Sequence, residues 1–313
     1  MKMLTQLRTA LLVLCSAAAL AGMHMVNDAQ GRAVAVPDAP RRIVALSELD
    51  LDAVLALGIK PVGATLGRGQ GTMPRYLGTA ATGITPVGQF ASPVLDKVLA
   101  LKPDLILAGG MPDAEMLALL GKVAPTVVSY KLGEDWQTAL RRIADMTGRT
   151  NEAQTVLSGY QQKTSALRGR LGPAAGARVS VVRWNPQGPA YMLRDAFSSK
   201  VLADIGLQRP AGQDQAGIAH SPPLSMESLQ RIDGDWLFVG TLAADGQASE
   251  AMSAARHSSA FRQLAAVRNG RMVAVDGSLW TSLGGPLAAH AMLTEVEKVM
   301  TSPSAPKPAV PKP

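Results

Sequence analysis

The residue types that most often carry chemistry are few in this chain, and their spacing excludes several reactions. There is one cysteine, Cys15, and four histidines, His24, His220, His257 and His290. A four-cysteine zinc site, a disulfide framework and a Cys-X-X-Cys redox pair are therefore excluded. A zinc or manganese carrier would gather several histidines and carboxylates in one cleft. Here His24 is near the start, His290 is in the last helical segment, and His220 and His257 are not at strand ends. Direct ferric-ion capture would want clustered tyrosines, but Tyr76, Tyr130, Tyr160 and Tyr191 are scattered. A hydrolase elbow needs Gly-x-Ser-x-Gly, and Asp276-Gly277-Ser278-Leu279-Trp280 lacks the second glycine. No P-loop occurs either. What stands out instead is a cation in a glycine-rich loop, Gly67-Arg68-Gly69-Gln70-Gly71, with Arg75 following. Conspicuous loop residues carry function more often than core residues do.

Net charge is +7, but much of it sits at the ends. Lys2, Arg8, Lys307 and Lys312 have no acid beside them, which leaves 27 bases against 24 acids in the body. With aromatics at only 4%, stacking platforms for nucleic acid are not available, and no nucleic-acid partner is expected. At 47% hydrophobic, the chain is globular rather than disordered.

The ends read as processing and linker segments. Residues 1–21 carry Lys2 and Arg8, an apolar run from Leu11 to Leu20, and Ala19-Leu20-Ala21, the pattern of a cleavable signal peptide. Leu14 before Cys15 is not the small residue a lipoprotein site wants, so cleavage after Ala21 and a periplasmic location are expected. Residues 301–313 are rich in Pro and Lys and are expected to be disordered.

The body alternates short apolar strands with helices of about ten residues, the signature of βα units on parallel sheets. Strands are expected at 41–47, 61–66, 85–88, 104–108 and 126–130 in the first half. In the second half they are expected at 177–184, 190–193, 236–241 and 271–275. Ser92-Pro93 reads as an N-cap and first helical residue, opening a helix to Leu101. Asn151 to Leu171 reads as one long, mostly polar helix, suited to bridging two lobes. The fold class is thus α/β, with two Rossmann-like lobes on central parallel sheets joined by one long α-helix. The expected layout is a signal peptide at 1–21, a lead-in at 22–40 and a first lobe at 41–148. A bridging helix at 149–172, a second lobe at 173–300 and the tail follow.

Four segments carry a resemblance. "PRRIVALSELDLDAVLALGIKPVGAT", "VGQFASPVLDKVLALKPDLILAG", "LSMESLQRIDGDWLFVG" and "LAAVRNGRMVAVDGSLWTSLGGPLAAHAML" occur in the order seen in ferric-siderophore-binding proteins of ABC importers. These share a helical-backbone periplasmic binding protein fold with the haem- and cobalamin-binding proteins. The resemblance covers about residues 27–299.

It implies a binding protein, not an enzyme, and a monomer. Such a protein takes a ferric siderophore in a cleft at the strand ends and delivers it to an inner-membrane ABC permease. No covalent cofactor and no protein metal ligands are implied, since the siderophore already encloses iron. The ligand's negative charge calls for Arg, and its apolar parts for aromatics or Met. The resemblance points to Arg68, Arg75, Arg183, Trp184, Tyr191, Arg194 and Trp280, with Gln89, Phe90 and Met111 as further loop candidates. Strand alternation turns one of Arg183 and Trp184 to the cleft and the other to a packing face. Asp96 and Glu227 match the acids that dock on a permease, with Asp96 a shorter stand-in for the usual Glu. The alternative ligand is haem or cobalamin, for which His220 or Tyr191 would be the test residue.

Overall fold

Ile43-Val44-Ala45, buried on both faces, forms the middle of a sheet because helices must cover it on each side. The computed structural model describes residues 22–111 and 113–301. The expected signal peptide and nearly all of the Pro/Lys tail lie outside them.

The first-half strands are β1 (Met23–Asn27), β2 (Ala33–Pro37), β3 (Ile43–Ala45), β4 (Gly63–Leu66), β5 (Thr85–Gln89), β6 (Ser92–Pro93), β7 (Leu105–Leu107) and β8 (Thr126–Val127). β1 and β2 pair as an antiparallel hairpin within the expected lead-in, 22–40. The other six form one sheet in the order β6-β5-β4-β3-β7-β8, parallel except for β5 with β6.

Ser92-Pro93 is a correction. It is the return strand of a tight hairpin, and the helix starts only at Leu95. Phe90 and Ala91 (φ 61°) make the turn, and Gly88 (φ 124°), opposite Pro93, allows the strands to meet, since a Cβ there would stand 2.7 Å from the Ser92 carbonyl oxygen. A Ser-Pro pair signals a helix start only when the chain before it does not fold back.

The second sheet contains β9 (Val179–Asn185), β10 (Gly188–Tyr191), β11 (Trp236–Gly240) and β12 (Met272–Ala274), in the order β10-β9-β11-β12. Here β9, β11 and β12 run parallel, and β10 closes a hairpin on β9.

The long helix spans Thr150–Arg170. Ala153, Leu157, Tyr160, Thr164 and Leu167 form its buried stripe at helical spacing. Tyr160 meets Trp136 of the first half edge-on at 4.8 Å, and its hydroxyl donates to Asp204 of the second half at 2.7 Å. The final helix, Pro286–Met300, follows the second sheet in the chain yet returns to the first half. Its opening amides, Leu287 N and Ala288 N, donate to Asp52 at 2.7 and 2.9 Å. One continuous apolar core therefore runs from Val26 in the first half to Met300.

Candidate functional site

The carboxyl ends of the two sheets face each other. From the first come Glu48 after β3, Arg68 after β4, Phe90 after β5, Gly109 after β7 and Tyr130 after β8. The second supplies Arg183 near the end of β9, Leu242 after β11, and Asp276, Thr281 and Ser282 after β12. Ligands of parallel α/β sheets sit outside such strand ends.

Among the described residues, three hydrogen-bonded ties cross the cleft. At its centre Ser282 Oγ donates to Glu48, whose other oxygen accepts the Arg68 amide at 2.7 Å. On the β4 side Arg75 donates to Asp276 at 2.5 Å and to the Leu242 carbonyl at 2.6 Å. On the β8 side Lys200 donates to the Gly133 carbonyl at 2.9 Å. The sheet order puts β4 and β8 on opposite sides of β3, so the ties flank the centre.

Two guanidiniums lie at that centre. Arg183 is 7% exposed and is held by Thr281, with Nε donating to the hydroxyl at 3.2 Å and Nη2 to the carbonyl. Its Nη1 has no hydrogen-bond partner among the described residues. Loss of water on burial, and then the nearby Arg68 charge, push Arg183 down to about 10, while Glu48 pulls the other way. The Arg68 guanidinium lies 4.6 Å over the Phe90 ring. It is half-exposed and makes no ion pair among the described residues. Burial pushes the Glu48 carboxyl up, against the bonds from Ser282 and the Arg68 amide. Two guanidiniums against the single Glu48 carboxyl leave the centre with a surplus of positive charge.

Residues 43–279 match the sequence profile described as periplasmic binding protein. This chain belongs to that family. It is 31% identical over 282 residues to the "Probable siderophore-binding lipoprotein YfiY" of Bacillus subtilis, covering 87% of this chain and 86% of that one. Against the Fe(3+) dicitrate-binding periplasmic protein FecB of Escherichia coli, identity is 25% over 266 residues, with 83% and 85% covered. The Staphylococcus aureus SirA structure complexed with staphyloferrin B superimposes with a TM-score of 0.75 at 23% identity, covering 88% and 97%. The family is one of binding proteins, and the SirA likeness establishes the shared fold.

The other residues singled out from the sequence are dispersed. Arg75 is at the cleft, but its charge is committed to Asp276. Gln89 and Arg194 are exposed, and Arg194 is 3.7 Å from Asp195. Met111, at 3%, packs into the core with Val44 and Leu46. Trp280 is fully buried rather than at a rim. It stacks on Phe238 at 4.5 Å, and its Nε1 donates to Glu295 at 2.6 Å. The segment after β12 forms a short helix, Gly277–Trp280, which turns that ring inward.

Trp184 is on the opposite face of β9 from Arg183, packed with Phe261 at 6.1 Å beside a cavity of about 390 Å³. Tyr191 is buried beneath Arg231, which donates to its hydroxyl at 3.1 Å. Asp96 and Glu227 are exposed, Asp96 on the helix Leu95–Ala100 and Glu227 on the short turn Met226–Ile232.

Sequence reasoning missed Glu48, Tyr130, Thr281 and Ser282. Tyr130 is buried just after β8, with its hydroxyl near Ser47 and Asp50. The available signal was Glu48-Leu49-Asp50-Leu51-Asp52, three acids at alternate positions just after a buried strand. Charged residues are almost never fully buried unless they are partnered.

Proposed function

We propose that this protein captures a ferric siderophore between the two lobes, 41–148 and 173–300, and hands it to an ABC permease in the inner membrane. The observation that carries this is the convergence of Arg68 and Arg183 at the strand ends, neither of them in an ion pair among the described residues. Guanidinium forks hold an anionic complex through several charge-assisted hydrogen bonds. The iron arrives already ligated, so the protein contributes no metal ligand and no covalent cofactor. Its place is outside the cytoplasm, which agrees with the names of YfiY and FecB. The reading is of a periplasmic protein exported by a cleaved signal peptide and working as a monomer. Asp96 and Glu227, one exposed acid per lobe, are the docking points for permease cations.

Calorimetric titration with ferric siderophores, haem and cobalamin tests this. Submicromolar binding of a ferric siderophore, weakened tenfold or more by Arg68→Ala, is the expected result. Binding of haem or cobalamin alone moves the ligand to that class, and no binding of any of them overturns the reading. Asp96→Ala with Glu227→Ala should leave binding unchanged and lower permease-dependent uptake.

A further inference from the structure

We infer that the preferred cargo is a ferric complex whose outer surface presents free carboxylates, a hydroxycarboxylate chelate, rather than a tris-hydroxamate or tris-catecholate. This rests on the siderophore reading and narrows it.

The argument is one of charge and surface type. An exposure of 7% leaves little water around Arg183, and its Nη1 makes no hydrogen bond among the described residues. Thr281 offers it only neutral acceptors. Arg68 adds a second cation close by, with no ion pair of its own among the described residues. Glu48, the acid facing them, is already taken by Ser282 and the Arg68 amide. Two cations gathered by Arg68 N and Ser282 around one engaged carboxylate, with Arg183 on the adjacent Thr281, are relieved by an anion that reaches both.

Three hydroxamates neutralise ferric ion and leave a complex with no net charge, which gives the two cations nothing to pair with. A tris-catecholate is anionic, but its periphery is aromatic ring. Its charge sits on oxygens that already hold the iron, so it offers a guanidinium a ring face rather than a free pair of acceptors, and Arg68 already has such a face in Phe90. A peripheral carboxylate, by contrast, is planar and bidentate, the shape that a guanidinium fork matches.

The test is a calorimetric comparison of three probes: ferric citrate, a ferric tris-hydroxamate and a ferric tris-catecholate. The expected result is binding of ferric citrate at least tenfold tighter than either other probe. Arg68→Gln, at a half-exposed position where folding is not at stake, should weaken ferric citrate tenfold or more and leave the neutral hydroxamate within twofold. Arg183→Lys keeps the charge but loses the fork, and should also weaken ferric citrate about tenfold, with the melting temperature checked in parallel. Tightest binding of the hydroxamate or catecholate overturns the inference and leaves the siderophore reading standing. Silence of all three probes overturns both.

Discussion

On the six-stranded side the buried charges at and behind the cleft are carboxylates, Glu48, Asp50 and Asp52. On the four-stranded side they are guanidiniums, Arg183 and Arg271. The two sets are treated differently. Asp50 accepts from Ser47 Oγ at 2.8 Å, from the Gly109 amide at 2.9 Å and from Ser129 Oγ. Asp52 accepts from Leu287 N, Ala288 N and the Tyr76 hydroxyl, the last at 2.9 Å. The guanidiniums are less fully bonded: among the described residues Arg271 Nε is buried without a partner, and Arg183 Nη1 makes no hydrogen bond and stays open to the cleft. Fully partnered buried groups fix a structure, whereas an unpartnered one costs free energy until something meets it. The contrast teaches that the first lobe spends its buried charge on holding elements together, and that Arg183 keeps a donor in reserve at the cleft.

The sharpest way to break that contrast is to remove a carboxylate. Asp52→Ala leaves two amides and a tyrosine hydroxyl without their acceptor. Each orphaned buried donor costs about 1–3 kcal/mol, so a loss of about 4 kcal/mol is expected in urea unfolding. A loss under about 1 kcal/mol would mean that the final helix is held by its apolar face alone. Arg183→Met, filling the same volume without charge, should cost far less stability or even add some, because it removes an incompletely satisfied ion.

This division also explains what could be read from the sequence. The long helix shows itself by length and by the absence of proline, and it is observed at Thr150–Arg170. The apolar strands are visible because parallel strands are buried on both faces, as at Leu105–Leu107. Arg68 stood out because glycines surround it. The aromatics did not separate in the same way. A tryptophan near a strand end serves equally as a core anchor or a rim, and the choice depends on where the next turn goes. For Trp280 the short helix after β12 decides, and for Trp184 the strand parity decides. The Glu48-to-Asp52 row was legible as acids but not as buried acids, because its partners lie far along the chain, at Ser129, Ser282 and Leu287.

A smaller effect comes from pH. Burial raises Asp50 and Asp52 to about 6, against hydrogen bonds that lower them. Between about pH 4 and 6 the folded state then keeps protons that the unfolded chain has released. Their contribution to stability is complete below about pH 4 and is lost as pH rises through 6, by about 2–3 kcal/mol per group. Asp28, Glu134, Asp135 and Asp235 are lowered and work in the opposite sense, losing their contribution as pH falls below about 4. Stability should therefore be greatest near pH 4–5, with Asp52→Asn flattening the decline toward pH 7. A profile rising steadily to pH 7 would contradict the assignment.

The smallest expected effect separates a tie across the cleft from a ligand contact. Arg75 joins Asp276 and the Leu242 carbonyl, and both members of the ion pair are about 30% exposed. A pair of that kind is worth about 1 kcal/mol at most, so Arg75→Ala should cost about that much. It should not change ferric-complex affinity by more than twofold. Nor should the tie act as a hinge lock. The helix Thr150–Arg170 and the returning helix Pro286–Met300 already pack together across both halves, with Lys163 donating to the His290 carbonyl at 3.2 Å. Closure on ligand binding is then a matter of a few degrees, with or without Arg75. Solution scattering of the wild type and Arg75→Ala, each with and without ferric citrate, should give four superimposable curves. A marked compaction by ligand only in the variant would show that Arg75 props the two halves at their present angle.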